Sequence, residues 1–263
     1  MRRLLSFPCD GARLAATIDD APGTTGLLIV SGGNEIRIGA HRGMARLAYD
    51  VAAAGYPVFR FDRRGIGDSE GDNGGFETSR PDIMAALAAF RSHCPALTSI
   101  VGFGNCDAAT ALILHQPLAL DALILANPWL IEPTAEAPPP ATARAYYAQR
   151  LRDPRAWAGL LRGAVNLKKL FSSLQSAAKR DQPSLLAERV ADQLELFPVD
   201  ARILLASGDG TAIAFKALWD GALFDRYCDD IPIISIDSSS HSFASEHDYA
   251  VLTSAIISAL TPQ

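Results

Sequence analysis

Between Ser99 and Ala109 an apolar run, Ser99-Ile100-Val101-Gly102-Phe103, ends in a turn of small residues and restarts as an Ala- and Leu-rich helix. Strand, tight turn and helix follow one another here because Gly104, Ala108 and Ala109 leave space for a turn that bulkier neighbours would block. Such an elbow holds up the side chain at its apex, which in the pattern Gly-x-Cys-x-Ala is Cys106. A helix N-terminus favours a thiolate, and the N–H of Asp107 points to where an oxyanion would develop. Cys106 is therefore the first candidate nucleophile. The competing reading is a buried, inert cysteine followed by a helix-capping aspartate.

With 263 residues, 49% of them hydrophobic, the chain can bury one large core, or one core interrupted by an inserted segment. A net charge of −5 gives no general affinity for nucleic acid. The four cysteines, Cys9, Cys94, Cys106 and Cys228, form no Cys-x-x-Cys pair, so neither a zinc cluster nor a disulfide framework is indicated. A reducing, cytoplasmic setting fits them. Met1-Arg2-Arg3-Leu4-Leu5 imitates the start of a signal peptide, but Pro8, Cys9 and Asp10 interrupt it and no cleavage site follows. No apolar run reaches the roughly eighteen residues a membrane span requires.

Residues 3–9 and 12–19 alternate in polarity around Asp10-Gly11, a hairpin signal. Gly26 to Val30 is continuously apolar, as in a strand buried on both faces, and leads into the loop Ser31-Gly32-Gly33-Asn34. A helix over 41–54, a strand over 56–61, a helix over 78–93 with Pro81 in its first turn, the elbow strand and a strand over 121–126 follow. Strands alternating with helices in this way imply parallel crossovers, with the loops singled out lying at the carboxyl ends of the strands. From Asn127 to about Pro198 the rhythm gives way to proline-rich and helical stretches, one of them opened near Ser184. A strand over 201–207, a helix over 211–223, a last strand over 231–237 and a closing helix to about Leu260 complete the chain. Cys106, Asp209 and His241 each fall in a loop just after a strand, in the order nucleophile, acid, base. Asp237 is the rival acid, while His93 and His115 sit at helix ends and His247 inside the last helix, where solvation or the helix dipole accounts for them.

Three stretches carry a family resemblance: Gly32 to Arg42, with Arg37, His41 and Arg42; Phe59 to Gly71, with Asp62-Arg63-Arg64-Gly65-Ile66-Gly67-Asp68-Ser69; and Cys106-Asp107-Ala108-Ala109. Together they resemble the first type of exosortase A system-associated hydrolase, within the α/β-hydrolase superfamily. Asn34-Glu35 replaces the Pro-Gln expected there, and the cysteine elbow is also similar to that of dienelactone hydrolases. The resemblance implies an α/β-hydrolase fold: a mostly parallel central sheet flanked by helices over 1–126 and 199–263, with an inserted helical lid over 127–198. It implies catalysis by Cys106, Asp209 and His241, with an oxyanion hole from Gly33 or Asn34 and from Asp107. Arg37, His41 and Trp129 are expected to meet the substrate, although bracing of the loop is an equal role for Arg37.

The implied reaction is hydrolysis of an ester or thioester through an acyl-cysteine, without metal or organic cofactor, and with a link to exopolysaccharide production. Two alternatives stand beside it: an acyltransferase using the same intermediate, and a non-catalytic binding module. Between Ala141 and Arg180 nine Arg and Lys residues accompany one acid, Asp153. Such a run is either a solvated face or a dock for an anionic carrier, coenzyme A or acyl carrier protein, and a membrane surface would be drawn to the same charge.

Overall fold

A computed structural model describes residues 1–131, 184–197 and 200–261. The strands are β1 (Arg2–Cys9), β2 (Ala12–Asp19), β3 (Thr25–Val30), β4 (Val58–Phe61), β5 (Ser99–Asn105), β6 (Ala122–Ala126), β7 (Asp200–Ala206) and β8 (Ile233–Ile236). They form one sheet in the order β1-β2-β4-β3-β5-β6-β7-β8. The hairpin β1/β2 and the pair β2/β4 are antiparallel, and every later pair is parallel.

Successive side chains of a strand point to opposite faces, and the central strands are apolar on both. Leu28 and Val30 of β3, with Leu123 and Leu125 of β6, enter one core; Leu27 and Ile29, with Ile124 and Ala126, enter the other. The second core is closed by α1 (Gly43–Ala53) and α6 (Glu246–Leu260). The first is closed by α2 (Arg80–His93), α3 (Asp107–Leu114), α4 (Leu185–Leu196) and α5 (Gly210–Trp219).

One local expectation is corrected. The helix expected from about His41 starts at Gly43, because His41 (φ 52°) and Arg42 (φ 62°) adopt left-handed backbone and break the first turn. The helix capped by Ser184, whose side chain accepts from the Ala187 N–H, buries Leu186, Ala187, Val190, Ala191 and Leu194 in the first core. It thus packs on the first core from within the span expected as a lid. The rest of the expected lid, with its basic run, lies outside the described residues.

Candidate active site

The elbow follows from packing at the end of β5. A side chain on Gly104 would place its Cβ 2.7 Å from the carbonyl carbon of Ala108, so only glycine lets α3 turn back across the strand. Cys106 takes up the turn at φ 62° and ψ −128°, a strained conformation for a residue with a side chain. It is held there by main-chain bonds: its N–H donates to Ala126 O at 2.9 Å, and its carbonyl accepts from Trp129 N–H at 3.3 Å. The thiol is half-buried and free of any disulfide.

Asp209 leaves the end of β7 and caps α5, its Oδ2 accepting from the N–H groups of Thr211 and Ala212 at 3.0 and 3.1 Å. The same oxygen lies 3.0 Å from His241 Nδ1. With Nδ1 engaged, Nε2 is the ring nitrogen left for Cys106, which lies near enough to influence the imidazole. The bond to Asp209, then the neighbouring Cys106, raise the imidazole to about 10. Burial alone would raise the Asp209 carboxyl, but the bond from His241 and the two cap N–H groups outweigh it and leave the group below its ordinary value. Two of the three residues nominated by sequence order, Asp209 and His241, are hydrogen-bonded to each other, and Cys106 stands at the elbow of the same sheet. Asp237 has no bond to His241.

The loop after β3 differs in detail from the expectation. The Gly33 N–H donates to Asp107 Oδ1 at 2.6 Å, and the Gly33 carbonyl accepts from the Arg63 guanidinium. A Cβ on Gly32 would fall 2.6 Å from the same Asp107 oxygen, so this glycine makes room for the carboxylate. Among the described residues the N–H groups of Asn34 and Asp107 meet no acceptor, whereas the Asn34 side chain accepts from Asn73 Nδ2 at 2.9 Å. Arg63 is buried, which lowers its guanidinium; the Asp107 charge acts in the opposite sense. Burial also raises the Glu35 carboxyl, against the opposing influence of the nearby His241.

The Arg37 guanidinium donates to Asp62, to Thr17 Oγ1 at 3.1 Å and to Asp68 Oδ2 at 3.0 Å, with its side chain only 12% exposed. These contacts, one of them to a fully buried carboxylate, suit a residue that braces the loop. His41 is exposed and lines a cavity of about 400 Å³ with Arg2, Arg42, Arg46 and Tyr49, and is not bonded to the elbow or to His241. Trp129 lies against the elbow, its ring half-buried on the first core and its carbonyl accepting from Thr110 Oγ1 at 2.6 Å.

Sequence reasoning passed over two asparagines. Asn105, beside the nucleophile, donates through Nδ2 to His241 O at 3.1 Å. Asn127, fully buried at the end of β6, donates to the same carbonyl at 3.2 Å. Their signal is a polar amide directly after an apolar strand, where a mere loop residue has no reason to be buried.

An eight-stranded, mostly parallel sheet with a strand–elbow–helix turn and a hydrogen-bonded His and Asp on loops after its strands defines an α/β-hydrolase. A family model described as serine aminopeptidase, S33, matches residues 26–217, and the chain belongs to that family. Among solved structures, an esterase of Pyrococcus furiosus is similar with a TM-score of 0.64 and 12% identity, over 97% of this chain and 89% of that one. Est1E of Butyrivibrio proteoclasticus, solved with ferulic acid, gives a TM-score of 0.62 and 16% identity over 97% of both chains. Alpha/beta hydrolase domain-containing protein 10 from mouse gives 0.59 and 14% over 98% of both. At these identities the likeness is one of fold. No curated protein matches the chain. Among the described residues no helix is long and apolar enough to cross a membrane.

Proposed function

We propose that this chain hydrolyses carboxylic esters or thioesters through an acyl-cysteine on Cys106. The observation that carries the reading is the 3.0 Å bond between His241 Nδ1 and Asp209 Oδ2, on loops of the same sheet whose strained elbow presents Cys106. Asp209 holds Nδ1 and leaves Nε2 to take the proton of the Cys106 thiol as general base. The sulfur attacks the carbonyl carbon, and the tetrahedral oxyanion is met by the N–H of Asp107 and by the loop after β3. His241 returns the proton to the departing alcohol or thiol as its bond to the acyl carbon breaks. Water then attacks the thioester with His241 as base; the acid leaves and the sulfur is restored.

The motifs that resemble those of exosortase A system-associated hydrolases support a link to exopolysaccharide production, and the unpaired cysteines support a cytoplasmic setting. The basic run between Ala141 and Arg180, within a lid inserted between β6 and β7, would receive an anionic thioester. Raising salt from low to physiological strength should then depress kcat/KM for a coenzyme A ester and leave that for a neutral aryl ester flat.

The decisive experiment is intact-mass measurement after mixing with acyl thioesters and aryl esters. An acyl increment on the native chain, absent from Cys106→Ala, is the expected result. Turnover by Cys106→Ala at the native rate would end the proposal. Release of the acyl group to a sugar or amine in preference to water would instead identify an acyltransferase.

A further inference from the structure

Asn127 stands where the strand ends that carry the three reacting residues come together. It follows β6 and is fully buried, with φ at +41°. Asparagine enters the left-handed region more readily than most residues, and here it brings an amide with it. That amide is satisfied on both ends. Its oxygen accepts from Ala206 N–H at 2.9 Å, at the last residue of β7. Its nitrogen donates at 3.2 Å to Asn105 Oδ1, beside the nucleophile on β5, and at 3.2 Å to the main-chain carbonyl of His241. Asn105 Nδ2 reaches the same His241 carbonyl at 3.1 Å. Ala206 O in turn accepts from Asp209 N–H at 2.9 Å, so the acid's main chain is tied to the residue Asn127 holds.

Each of these contacts joins a different part of the triad to one side chain. The His241 loop leaves the sheet after β8, three strands along from the elbow strand β5, so the sheet ladder joins it to Cys106 only through β6 and β7. A carbonyl gripped by two amide donors ties it there directly. We infer that Asn127, with Asn105 as its relay, is the positioning residue that sets His241 against Cys106 and Asp209. The inference rests on reading those three residues as the reacting set.

A residue that works by placement is tested by readouts that a general loss of stability would not move. Asn127→Gly keeps the backbone freedom that φ +41° needs and removes the amide. Asn105→Ala removes only the relay, at a half-buried position where folding is less exposed to the change. The first readout is the downfield proton resonance of His241 Nδ1–H, which reports the bond to Asp209 whether or not the thiol reacts. The second is kcat and KM on p-nitrophenyl acetate, with thermal unfolding as the control.

With both variants folded, the resonance should broaden or move upfield, and kcat should fall about 10²-fold for Asn127→Gly and about tenfold for Asn105→Ala, with KM within about twofold. An unchanged resonance and unchanged kcat in Asn105→Ala would overturn the inference even if Asn127→Gly failed to fold. So would a kcat that falls only in step with the melting temperature while the resonance persists. Native-like turnover by Cys106→Ala would strike at the proposed reaction instead, and the resonance would still decide the placement of His241.

Discussion

The Gly33 amide is bonded to the carboxylate of Asp107, the residue next to the nucleophile, at 2.6 Å. One peptide of the loop after β3 is thereby fastened to the elbow, while Arg63 grips the carbonyl of the same glycine.

If Asp107 serves as a fastener, Asp107→Asn, which retains an acceptor for the Gly33 N–H, should keep kcat within about threefold, whereas Asp107→Ala should lower it about 10²-fold through displacement of the loop. The measurement is steady-state hydrolysis of an aryl ester. A faster Asp107→Ala enzyme would show that the carboxylate obstructs the oxyanion position rather than building it.

Arg37→Ala should cost stability and spare substrate binding. The fully buried Asp62 would lose its charge partner, a loss of roughly 3 kcal/mol, moderated by the N–H groups of Arg37 and Asp68 that it also accepts. Thermal or denaturant unfolding reads the first effect and KM the second. A raised KM at unchanged stability would return Arg37 to the substrate.

Gly104→Ala should destabilise the fold by about 1–3 kcal/mol, since the new methyl meets backbone atoms of Ala108 and Ala109 at 2.7 Å and neither can rotate away. Denaturant midpoints of the variant and the native chain test this. An unshifted midpoint would mean that the elbow is looser than its contacts imply.

The parts of the molecule that a local pattern encodes were legible in the sequence. Leu27 to Val30 announces a strand buried on both faces, and Gly104 with Ala108 announces the elbow, because each pattern reports its own packing. Cys106, Asp209 and His241 could be nominated from their order after three strands. Arg37 could not be assigned a direction, since a guanidinium seven residues past a strand reaches either substrate or a buried aspartate, and the sequence does not say where Asp62 lies. Helix α4 shows the same limit. Its apolar stripe states that a face is buried, not against which layer. Asn127 was the least legible, for its bonds run to Asn105, Ala206 and His241, residues distant in sequence and joined only by the sheet.

The charge pair at the site also sets a pH dependence. His241 is raised from 6.5 to about 10, first by the bond to Asp209 and then by the neighbouring Cys106. A raised imidazole stabilises the folded chain fully below the unfolded value of 6.5, and the stabilisation disappears as pH climbs through about 10. Asp209 acts in the opposite direction. Its carboxyl is held below the ordinary 3.8, so its contribution is present above that pH and lost as pH falls through the lower folded value. The pair therefore contributes most between about pH 4 and pH 6.5. The melting temperature of the native chain minus that of His241→Gln should be greatest in this window and shrink steadily toward pH 10. A difference that stays constant from pH 6.5 to 10 would show that the resting imidazole is neutral, and that His241 must take the thiol proton during attack instead of already holding it.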